Sequence, residues 1–326
     1  MRALVTGANG FIGSHLCERL LERNYTVRCL VRPTSDLKWI YRLPVEYVNG
    51  SVEDLDSLRR AIQDVDYVFH GAAVTKAKTP ETYYRVNTKG AEHIFQVCYE
   101  TRSALRKCIF VSSLAAVGPS PSKEPITEEM PCHPITDYGR SKLEAEQLAH
   151  QFMPHFPLTI IRPPAVYGPR DKDTLLFFKL AKLGITPRFQ KTEQYLSLAY
   201  VEDVVDGMIR AAEHPAASGK TYFLSHEEII SWTDLATIIR RVMGKRKGIS
   251  VKIPEILPKW VAQTSMGLAK FTDKPALLNE QKINEIKQPY WTVSPQKAIA
   301  DFGFRPRSIE EGCRLTVQWY RNEKWL

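Results

Sequence analysis

A serine, a tyrosine and a lysine in this sequence have a spacing suited to proton transfer. Tyr138 and Lys142 are four residues apart, so on a helix they lie on one face. A free phenol has a pKa near ~10, too high for a base at neutral pH, and a neighbouring ammonium lowers it. Ser113 follows an apolar run and its hydroxyl can position a substrate oxygen. The pattern predicts that Tyr138 exchanges a proton with a secondary alcohol or ketone.

The same tyrosine–lysine spacing occurs a second time, which shows how weak it is alone. Tyr320 and Lys324 are also four residues apart, but no strand-end serine precedes them. We interpret that second pair as part of a surface helix. The support of Ser113 favours the first pair as the reactive one.

The first thirteen residues predict a site for a phosphate-bearing cofactor. An apolar run at 3–5 breaks into glycines, after which apolar helix spacing resumes. A glycine turn between strand and helix lets the backbone approach a pyrophosphate at the helix N-terminus. The spacing GxxGxxG differs from the GxGxxG fingerprint, and structural turn glycines are the alternative. The predicted cofactor contacts here are Gly7, Asn9, Gly10, Phe11, Ile12 and Gly13.

Arg32 indicates which dinucleotide binds. It stands at the end of the second predicted strand, about twenty residues after the glycines, where an acid normally holds the ribose hydroxyls. A guanidinium pairs instead with a 2′-phosphate. The residue therefore favours NADP(H) over NAD(H), while a solvent-facing arginine is the alternative. The oxidised nicotinamide would add its positive charge to that of Lys142 near the phenol.

Strands and helices alternate along the first half of the chain. Apolar runs predict strands at 3–5, 25–31, 45–48, 65–69, 107–112 and 158–161, with helices at 53–62, 82–100 and 136–152 among them. The alternation predicts an α/β fold with a Rossmann-type doubly wound parallel sheet. The small residues Gly71, Ala72 and Ala73 follow the fourth strand and let a cofactor cross the sheet edge. His70 beside them is interpreted as a packed histidine rather than a base.

The pattern loosens after residue 162, where prolines cluster. We expect residues 1–162 to form the NAD(P)-binding domain. Residues 163–326 are expected to form mostly a smaller substrate-binding region, partly interleaved with the sheet. Within this region 255–271 is amphipathic and is interpreted as a core-facing helix, with a lid or a membrane-surface element as alternatives.

Composition excludes several classes of protein. The chain has 326 residues, 44% of them hydrophobic and 25% charged, which is typical of a soluble globular protein. Its net charge of +9 is spread along the chain, so we expect an anionic small molecule rather than nucleic acid as partner. We find no signal peptide, no integral membrane segment and no metal-ligand pattern. The six scattered cysteines predict reduced thiols in a cytoplasmic protein.

These motifs together resemble the extended short-chain dehydrogenase/reductase family, which contains NAD-dependent epimerase/dehydratases and dihydroflavonol-reductase-like proteins. The resemblance covers nearly the whole chain, and the matching pieces are 6–13, 70–73, Asn87, 111–113, Tyr138 with Lys142, 162–163, 166–170, 200–203 and 319–326. It implies a catalytic set of Ser113, Tyr138 and Lys142, with Asn87 supporting it by holding a proton-relay water. Ser112 is the alternative to Ser113.

The resemblance also implies further contacts and an assembly. Ser51 and Val52 are expected near the adenine, although the family usually has an aspartate at the position of Ser51. Pro163 is expected to contact the cofactor. The resemblance implies a homodimer through the helices at 82–100 and 136–152.

Three functions are compatible with this sequence. The first is an oxidoreductase that interconverts a ketone and a secondary alcohol with NADP(H), as Arg32 and the catalytic set indicate. The second is a nucleotide-sugar epimerase or dehydratase that keeps NAD tightly bound, with Arg170 and Arg188 as candidate contacts to the diphosphate. The third is a non-catalytic NADP(H)-binding regulator, because a fold does not imply a function.

Overall fold

The computed structural model describes residues 1–188, 193–245, 247–252 and 280–326. The amphipathic stretch at 255–271 lies outside the described residues, so its interpretation stays a prediction. The first six strands, in chain order, are β1 (Arg2–Thr6), β2 (Thr26–Val31), β3 (Glu46–Asn49), β4 (Tyr67–His70), β5 (Lys107–Val111) and β6 (Leu158–Arg162). They are followed by β7 (Ala165–Tyr167), β8 (Ile185–Arg188), β9 (Tyr195–Leu196), β10 (Leu198–Tyr200), β11 (Lys220–Phe223), β12 (Ile230–Ser231), β13 (Ile249–Lys252) and β14 (Tyr290–Trp291).

The helices alternate with these strands. They are α1 (Phe11–Glu22), α2 (Leu55–Ala61), α3 (Pro80–Tyr83), α4 (Gly90–Glu100), α5 (Asp137–Phe152), α6 (Leu175–Lys182), α7 (Val201–Glu213), α8 (Trp232–Val242), α9 (Glu280–Lys287), α10 (Gln296–Phe302) and α11 (Ile309–Asn322). A π-helical turn, Tyr84–Lys89, joins α3 to α4, and a short 3₁₀ turn, Leu114–Ala116, follows β5.

A seven-stranded parallel sheet forms the centre of the fold. Its strand order is β11-β6-β5-β4-β1-β2-β3, which confirms the predicted α/β class with a doubly wound sheet. All six predicted strands are present, with ends that differ by one or two residues. The seventh strand, Lys220–Phe223, was not predicted from the sequence because it is short and half of its residues are polar. It adds the edge strand next to β6 from the part of the chain after residue 162.

The sheet is buried on both faces, as parallel sheets are. Side chains alternate along β1, so that Val5 packs into one apolar cluster and Leu4 into the opposite one. Helices α1 and α7 cover the first face, and α2, α4 and α5 cover the second. The register pairs Thr6 with His70 and His70 with Phe110, so the carboxyl ends of the central strands lie at one edge.

The C-terminal part builds small sheets around a second core. Tyr320 is fully buried there and donates a hydrogen bond to the carbonyl oxygen of Asp171 at 2.8 Å. Lys324 lies past the end of α11 with a φ of 58°. The sequence-based interpretation of these two residues as a surface helix pair was therefore wrong, because the aromatic side of α11 faces the core.

The cysteines are free thiols, and five of the six are buried. The Sγ atoms of Cys17 and Cys29 lie 3.6 Å apart inside the sheet–helix interface. Within the described ranges, none of the helices combines the length and the apolar character needed to cross a bilayer.

Candidate active site

The glycine turn after β1 forms a close-packed cradle. Gly7 has a φ of 73°, and a Cβ on Gly13 would lie 2.1 Å from the carbonyl oxygen of Gly7. A Cβ on Gly7 would lie 2.8 Å from the backbone nitrogen of Ala72, at the end of β4. Only glycine fits these positions, so the turn brings the start of α1 directly against the edge of the sheet.

The N-terminus of α1 is open to an anion. Gly10 caps the helix without a side-chain hydrogen bond, and no acidic residue stands in the first turn. The helix therefore keeps its positive dipole end and its first N–H groups available. Phe11 and Ile12 are half-buried beside it. These features fit the pyrophosphate of a dinucleotide, and Gly7, Gly10 and Gly13 would hold it.

The segment after β4 is fixed by Thr6. Its Oγ1 lies 2.7 Å from Nδ1 of His70 and accepts a hydrogen bond from the backbone nitrogen of Ala72 at 3.2 Å. His70 is buried and stacked on Phe110, and burial together with the charge of Lys142 lowers its pKa to about 3. His70 is thus a neutral packed residue, as the sequence indicated, and it holds 71–73 at the cradle.

Lys142 is buried on α5 against the end of β5. Its Nζ donates a hydrogen bond to the carbonyl oxygen of Val111 at 2.7 Å and lies 4.4 Å from the ring centroid of Phe110. Burial lowers the pKa of Lys142 to about 7, against the opposing charge of Glu146. The amine therefore titrates near neutral pH.

The first turn of α5 presents Tyr138. Thr136 caps the helix by accepting a hydrogen bond from the backbone nitrogen of Gly139 at 3.1 Å. A Cβ on Gly139 would lie 2.3 Å from the carbonyl oxygen of Ala115, so this glycine lets α5 pack directly on the 3₁₀ turn after Ser113. The half-buried Tyr138 is thereby brought close to Ser113, whose side chain favours the ionised form of the phenol and so lowers the Tyr138 pKa.

The ionisation of Tyr138 differs from the sequence-based expectation. Burial raises the pKa of Tyr138 to about 12, and the hydrogen bond from Ser113 only partly opposes this shift. Lys142 was expected to lower that pKa, and in the protein alone it does not. The reason is that its amine donates to the Val111 carbonyl, while burial lowers the pKa of the lysine itself to about 7. Tyr138 is therefore a neutral phenol that can donate a proton.

Ser113, and not Ser112, is the serine that meets the tyrosine. Ser113 Oγ also accepts a hydrogen bond from the backbone nitrogen of Ala115 at 3.1 Å, which starts the 3₁₀ turn. Ser112 is buried, and its Oγ has no hydrogen-bond partner within the part of the chain that the structure describes. The carbonyl oxygen of Pro163 accepts from the backbone nitrogen of Leu114 at 2.9 Å, which places Pro163 beside this turn.

Asn87 lies on the π-helical turn and joins two parts of the site. Its Oδ1 accepts from the backbone nitrogen of Val74 at 2.8 Å, and its Nδ2 donates to the Val74 carbonyl oxygen at 3.1 Å. Nδ2 also lies 3.1 Å from Oγ of Ser141, next to Lys142. Such π-helical turns are frequent at functional sites. The geometry gives Asn87 a positioning contact with α5, whereas its predicted water relay stays a prediction.

The predicted adenosine contacts lie after β2 and β3. Arg32 is exposed, and its backbone nitrogen donates to Oγ of Ser35 at 3.2 Å. Ser51 Oγ accepts from the backbone nitrogen of Glu53 at 3.2 Å. Val52 is buried beneath it. Asn9 reaches the same region, where its Nδ2 donates to the carbonyl oxygen of Asp36 at 3.3 Å.

Three residues at the site had no signal in the sequence. The ring of Tyr83 lies 6.2 Å from that of Tyr138, and the negative charge of Glu285 raises the Tyr138 pKa. Gln281 on α9 bonds to Asp137, accepting from its backbone nitrogen at 2.8 Å and donating to its carboxylate at 2.6 Å. Helix α9 thus forms a wall beside the tyrosine, and only the folded chain brings these distant residues together.

Arg170, a candidate for binding a diphosphate, is committed to α1 instead. Its guanidinium donates to Oγ of Ser14 at 3.0 Å and to the carboxylate of Glu18 at 2.6 Å. The cradle, the Ser113–Tyr138 pair and the buried Lys142 nevertheless lie at one edge of the sheet. That arrangement can bind a dinucleotide and exchange a proton with an oxygen atom beside it.

Comparison with known proteins shows to which family this chain belongs. Residues 3–224 match the model of the NAD-dependent epimerase/dehydratase family. The chain belongs to this family. Proteins similar to this chain are named dehydrogenases, reductases and epimerases, and the protein is accordingly an NAD(P)-dependent oxidoreductase or epimerase.

Two curated relatives match nearly the whole chain. Ceramide reductase of Caulobacter vibrioides is 29% identical over 99% of this chain and 95% of its own length. The decarboxylating sterol-4-alpha-carboxylate 3-dehydrogenase of Mus musculus is 28% identical over 98% of this chain and 91% of its own. The crystal structure of UDP-glucose 4-epimerase from Thermotoga maritima has a TM-score of 0.79 at 22% identity and covers 99% of this chain and 100% of that one.

Proposed function

We propose that the protein is an oxidoreductase that transfers hydride between NADP(H) and a ketone or secondary alcohol. The observation that carries this proposal is that α5 brings the Tyr138 phenol close enough to Ser113 for the serine side chain to lower its pKa, with Lys142 one helical turn further along α5. Two hydroxyl donors at one point suit a carbonyl oxygen that gains negative charge during reduction.

The chain's own residues then have separate tasks. Ser113 donates a hydrogen bond to the substrate oxygen and fixes its position. Tyr138 donates its proton to that oxygen, and in the reverse direction its phenolate accepts the proton from the alcohol. The bound nicotinamide supplies or takes the hydride. Lys142 donates one N–H to the Val111 carbonyl, and its remaining N–H would hold the nicotinamide ribose. Asn87 holds α5 in place and relays the proton through a water.

The preference for NADP(H) is argued from the end of β2. The guanidinium of Arg32 is exposed there, as a 2′-phosphate needs. The nearest acid, Asp36, accepts a hydrogen bond from the backbone nitrogen of Lys38 at 3.0 Å and so serves a local turn. An arginine available for an anion, with the acid engaged elsewhere, favours the phosphorylated cofactor.

The substrate class follows from two lines of support. The two curated relatives are named for a ceramide and for a sterol carboxylate, both hydrophobic molecules. Arg170 is bound to Ser14 and Glu18 and so does not serve a nucleotide diphosphate. We propose a hydrophobic ketone as substrate, held by residues after 162, among which α9 contributes the wall beside Tyr138.

We also propose that the NAD(P)-binding domain ends at residue 162 and that the protein forms a homodimer through α4 and α5.

The test measures whether the cofactor is consumed. One portion of the purified protein is denatured to check for bound nucleotide, and a second, native portion is incubated with NADPH and either hydrophobic ketones or UDP-sugars. Net oxidation of NADPH with a ketone, lost in Tyr138→Phe and kept in the exposed matched variant Tyr41→Phe, supports the proposal. Interconversion of a UDP-sugar without net NADPH oxidation would instead establish the epimerase reaction.

A further inference from the structure

Helix α6 and strand β13 expose four aliphatic side chains. Leu176 is 65% exposed, Leu183 72%, Ile249 66% and Val251 37%. Among residues 1–188, 193–245, 247–252 and 280–326, no other leucine, isoleucine or valine is strongly exposed. The remaining large exposed apolar residues are methionines and tyrosines at other positions. Scattered single residues are ordinary on a protein surface, whereas a concentration of this kind marks an interaction site.

These four residues lie on neighbouring elements. Leu176 and Leu183 are seven residues apart, so two helical turns place them on the same side of α6. The backbone nitrogen of Ile249 donates to the carbonyl oxygen of Gly184 at 2.8 Å, which brings β13 next to Leu183. Ile249 and Val251 alternate along the strand and therefore share one face. We call this surface, defined by Leu176, Leu183, Ile249 and Val251, the α6–β13 face.

A buried arginine supports the α6–β13 face from below. Arg240 on α8 is buried and donates to Oγ1 of Thr186 on β8 at 2.7 Å. A Cβ on Gly248 would lie 2.7 Å from the Arg240 guanidinium, so the turn into β13 packs directly on it. The two-stranded β8–β13 ribbon thus packs on Arg240 of α8.

Lysines surround the α6–β13 face. Lys179 and Lys182 on α6, and Lys245 and Lys247 before β13, are all exposed. None of the four has an ion-pair partner within the described residues. The sequence has no aspartate or glutamate at 174–188 or 240–252, the segments that build this surface. The apolar residues therefore lie among lysines, and Asp173, three residues before Leu176, is paired with Lys76 at 2.6 Å.

We propose that the α6–β13 face docks on a membrane surface that carries anionic lipids. The aliphatic side chains would enter the boundary between headgroups and acyl chains, and the lysines would contact lipid phosphates. The complementary charge argues for lipid rather than a neutral protein surface. A nucleic acid would use the lysines but would leave four aliphatic side chains exposed. The docking does not depend on which reaction the active site performs.

Co-sedimentation with vesicles tests the proposal. The full chain is mixed with vesicles of phosphatidylcholine alone or of phosphatidylcholine with phosphatidylglycerol. We expect binding to the anionic vesicles that weakens with added salt, and little binding to the neutral ones. The double variant Leu183→Glu with Ile249→Glu should lose binding. Replacing Lys179 and Lys182 by glutamine should weaken it about 25-fold, at about fivefold per lysine.

Matched controls make the outcomes decisive. The double variant Tyr41→Glu with Met130→Glu places the same two charges on exposed apolar residues outside the α6–β13 face and should bind like the wild type. The thermal unfolding temperature of every variant is measured and should be unchanged, because substitutions of exposed residues usually alter stability little. Absence of binding to anionic vesicles, or equal binding by the Leu183/Ile249 variant, would overturn the proposal. A wild-type dimer that the same variant splits, without vesicle binding, would assign the face to a second copy and overturn it too.

Discussion

The Nζ atom of Lys142 lies 2.7 Å from the carbonyl oxygen of Val111, two residues before Ser113. This bond ties α5 to the end of β5 and holds the lysine where the helix, the strand and the serine meet. The same burial lowers the lysine pKa to about 7. Burial of Lys142 therefore lowers the stability of the folded state, because it disfavours the protonated form that a lysine in water keeps at neutral pH.

The first prediction concerns stability against pH. The folded state gives up the Lys142 proton near pH 7, whereas the unfolded chain keeps it to about 10.4. Unfolding therefore takes up a proton in this window, and the free energy of unfolding gains a positive slope of at most about 1.4 kcal/mol per pH unit. Lys142→Met should lack this contribution. Urea unfolding of both proteins, free of nucleotide, at pH 7 and pH 10 gives the comparison. If the unfolding free energies of the wild type and of Lys142→Met differed by the same amount at pH 7 and at pH 10, Lys142 would not lose its proton near pH 7 in the folded state.

A second prediction concerns the proton donor. Tyr138→Phe removes the phenol but keeps the ring that packs near Tyr83. We expect kcat to fall about 100-fold to 10,000-fold, because general acid–base catalysis is worth that much. The Kd for cofactor should change little. Steady-state kinetics with a parallel binding titration separates the two effects, and full activity in the variant would remove Tyr138 from the mechanism.

The glycine cradle gives a third prediction. Gly13→Ala places a Cβ 2.1 Å from the Gly7 carbonyl oxygen, a contact that only a backbone shift can relieve. Overpacking of this kind costs about 1–3 kcal/mol, and the shifted turn should also lose its cofactor. Gly71→Ala is the matched control for folding, since its nearest contact would be an ordinary 3.4 Å. Thermal unfolding of the two variants should therefore differ clearly, and equal values would show that the cradle is loose.

A fourth prediction concerns the choice of cofactor. Arg32→Asp replaces a phosphate-binding charge by one that repels the 2′-phosphate. A hydrogen bond to a charged group contributes about 1.5–3 kcal/mol, so NADPH should bind about tenfold to hundredfold more weakly. NADH, which lacks that phosphate, should bind almost as before. Isothermal titration with both cofactors measures the ratio, and an equal loss for both would show that Arg32 does not meet the 2′-phosphate.

Much of the fold was predictable because local signals agreed with the global structure. The central strands are apolar runs that end in small residues, and the glycines after β1 mark the tight turn. The strand Lys220–Phe223 was missed because four half-polar residues become a strand only when β6 offers its free edge. Tyr320 was misjudged because the spacing of a tyrosine and a lysine does not say which side of a helix faces the core.

The site was predictable only where the chemistry lies in one short segment. Ser113, Tyr138 and Lys142 follow one another within thirty residues of the chain, and the structure brings them together. Tyr83 and Glu285 reach the tyrosine from distant segments, so no spacing pattern identifies them. The pKa of Tyr138 was also misjudged, because burial and the direction of the Lys142 amine depend on packing rather than on sequence.

A titration with reduced cofactors tests whether this protein is an oxidoreductase that releases and rebinds NADP(H) in each turnover. The purified protein is checked for bound nucleotide and then titrated with NADPH and with NADH, following the fluorescence of the reduced nicotinamide. We predict a protein isolated without cofactor that binds NADPH reversibly and more tightly than NADH. Tightly held NAD(H) in the isolated protein would contradict the account and would favour an epimerase that regenerates its cofactor in each turnover.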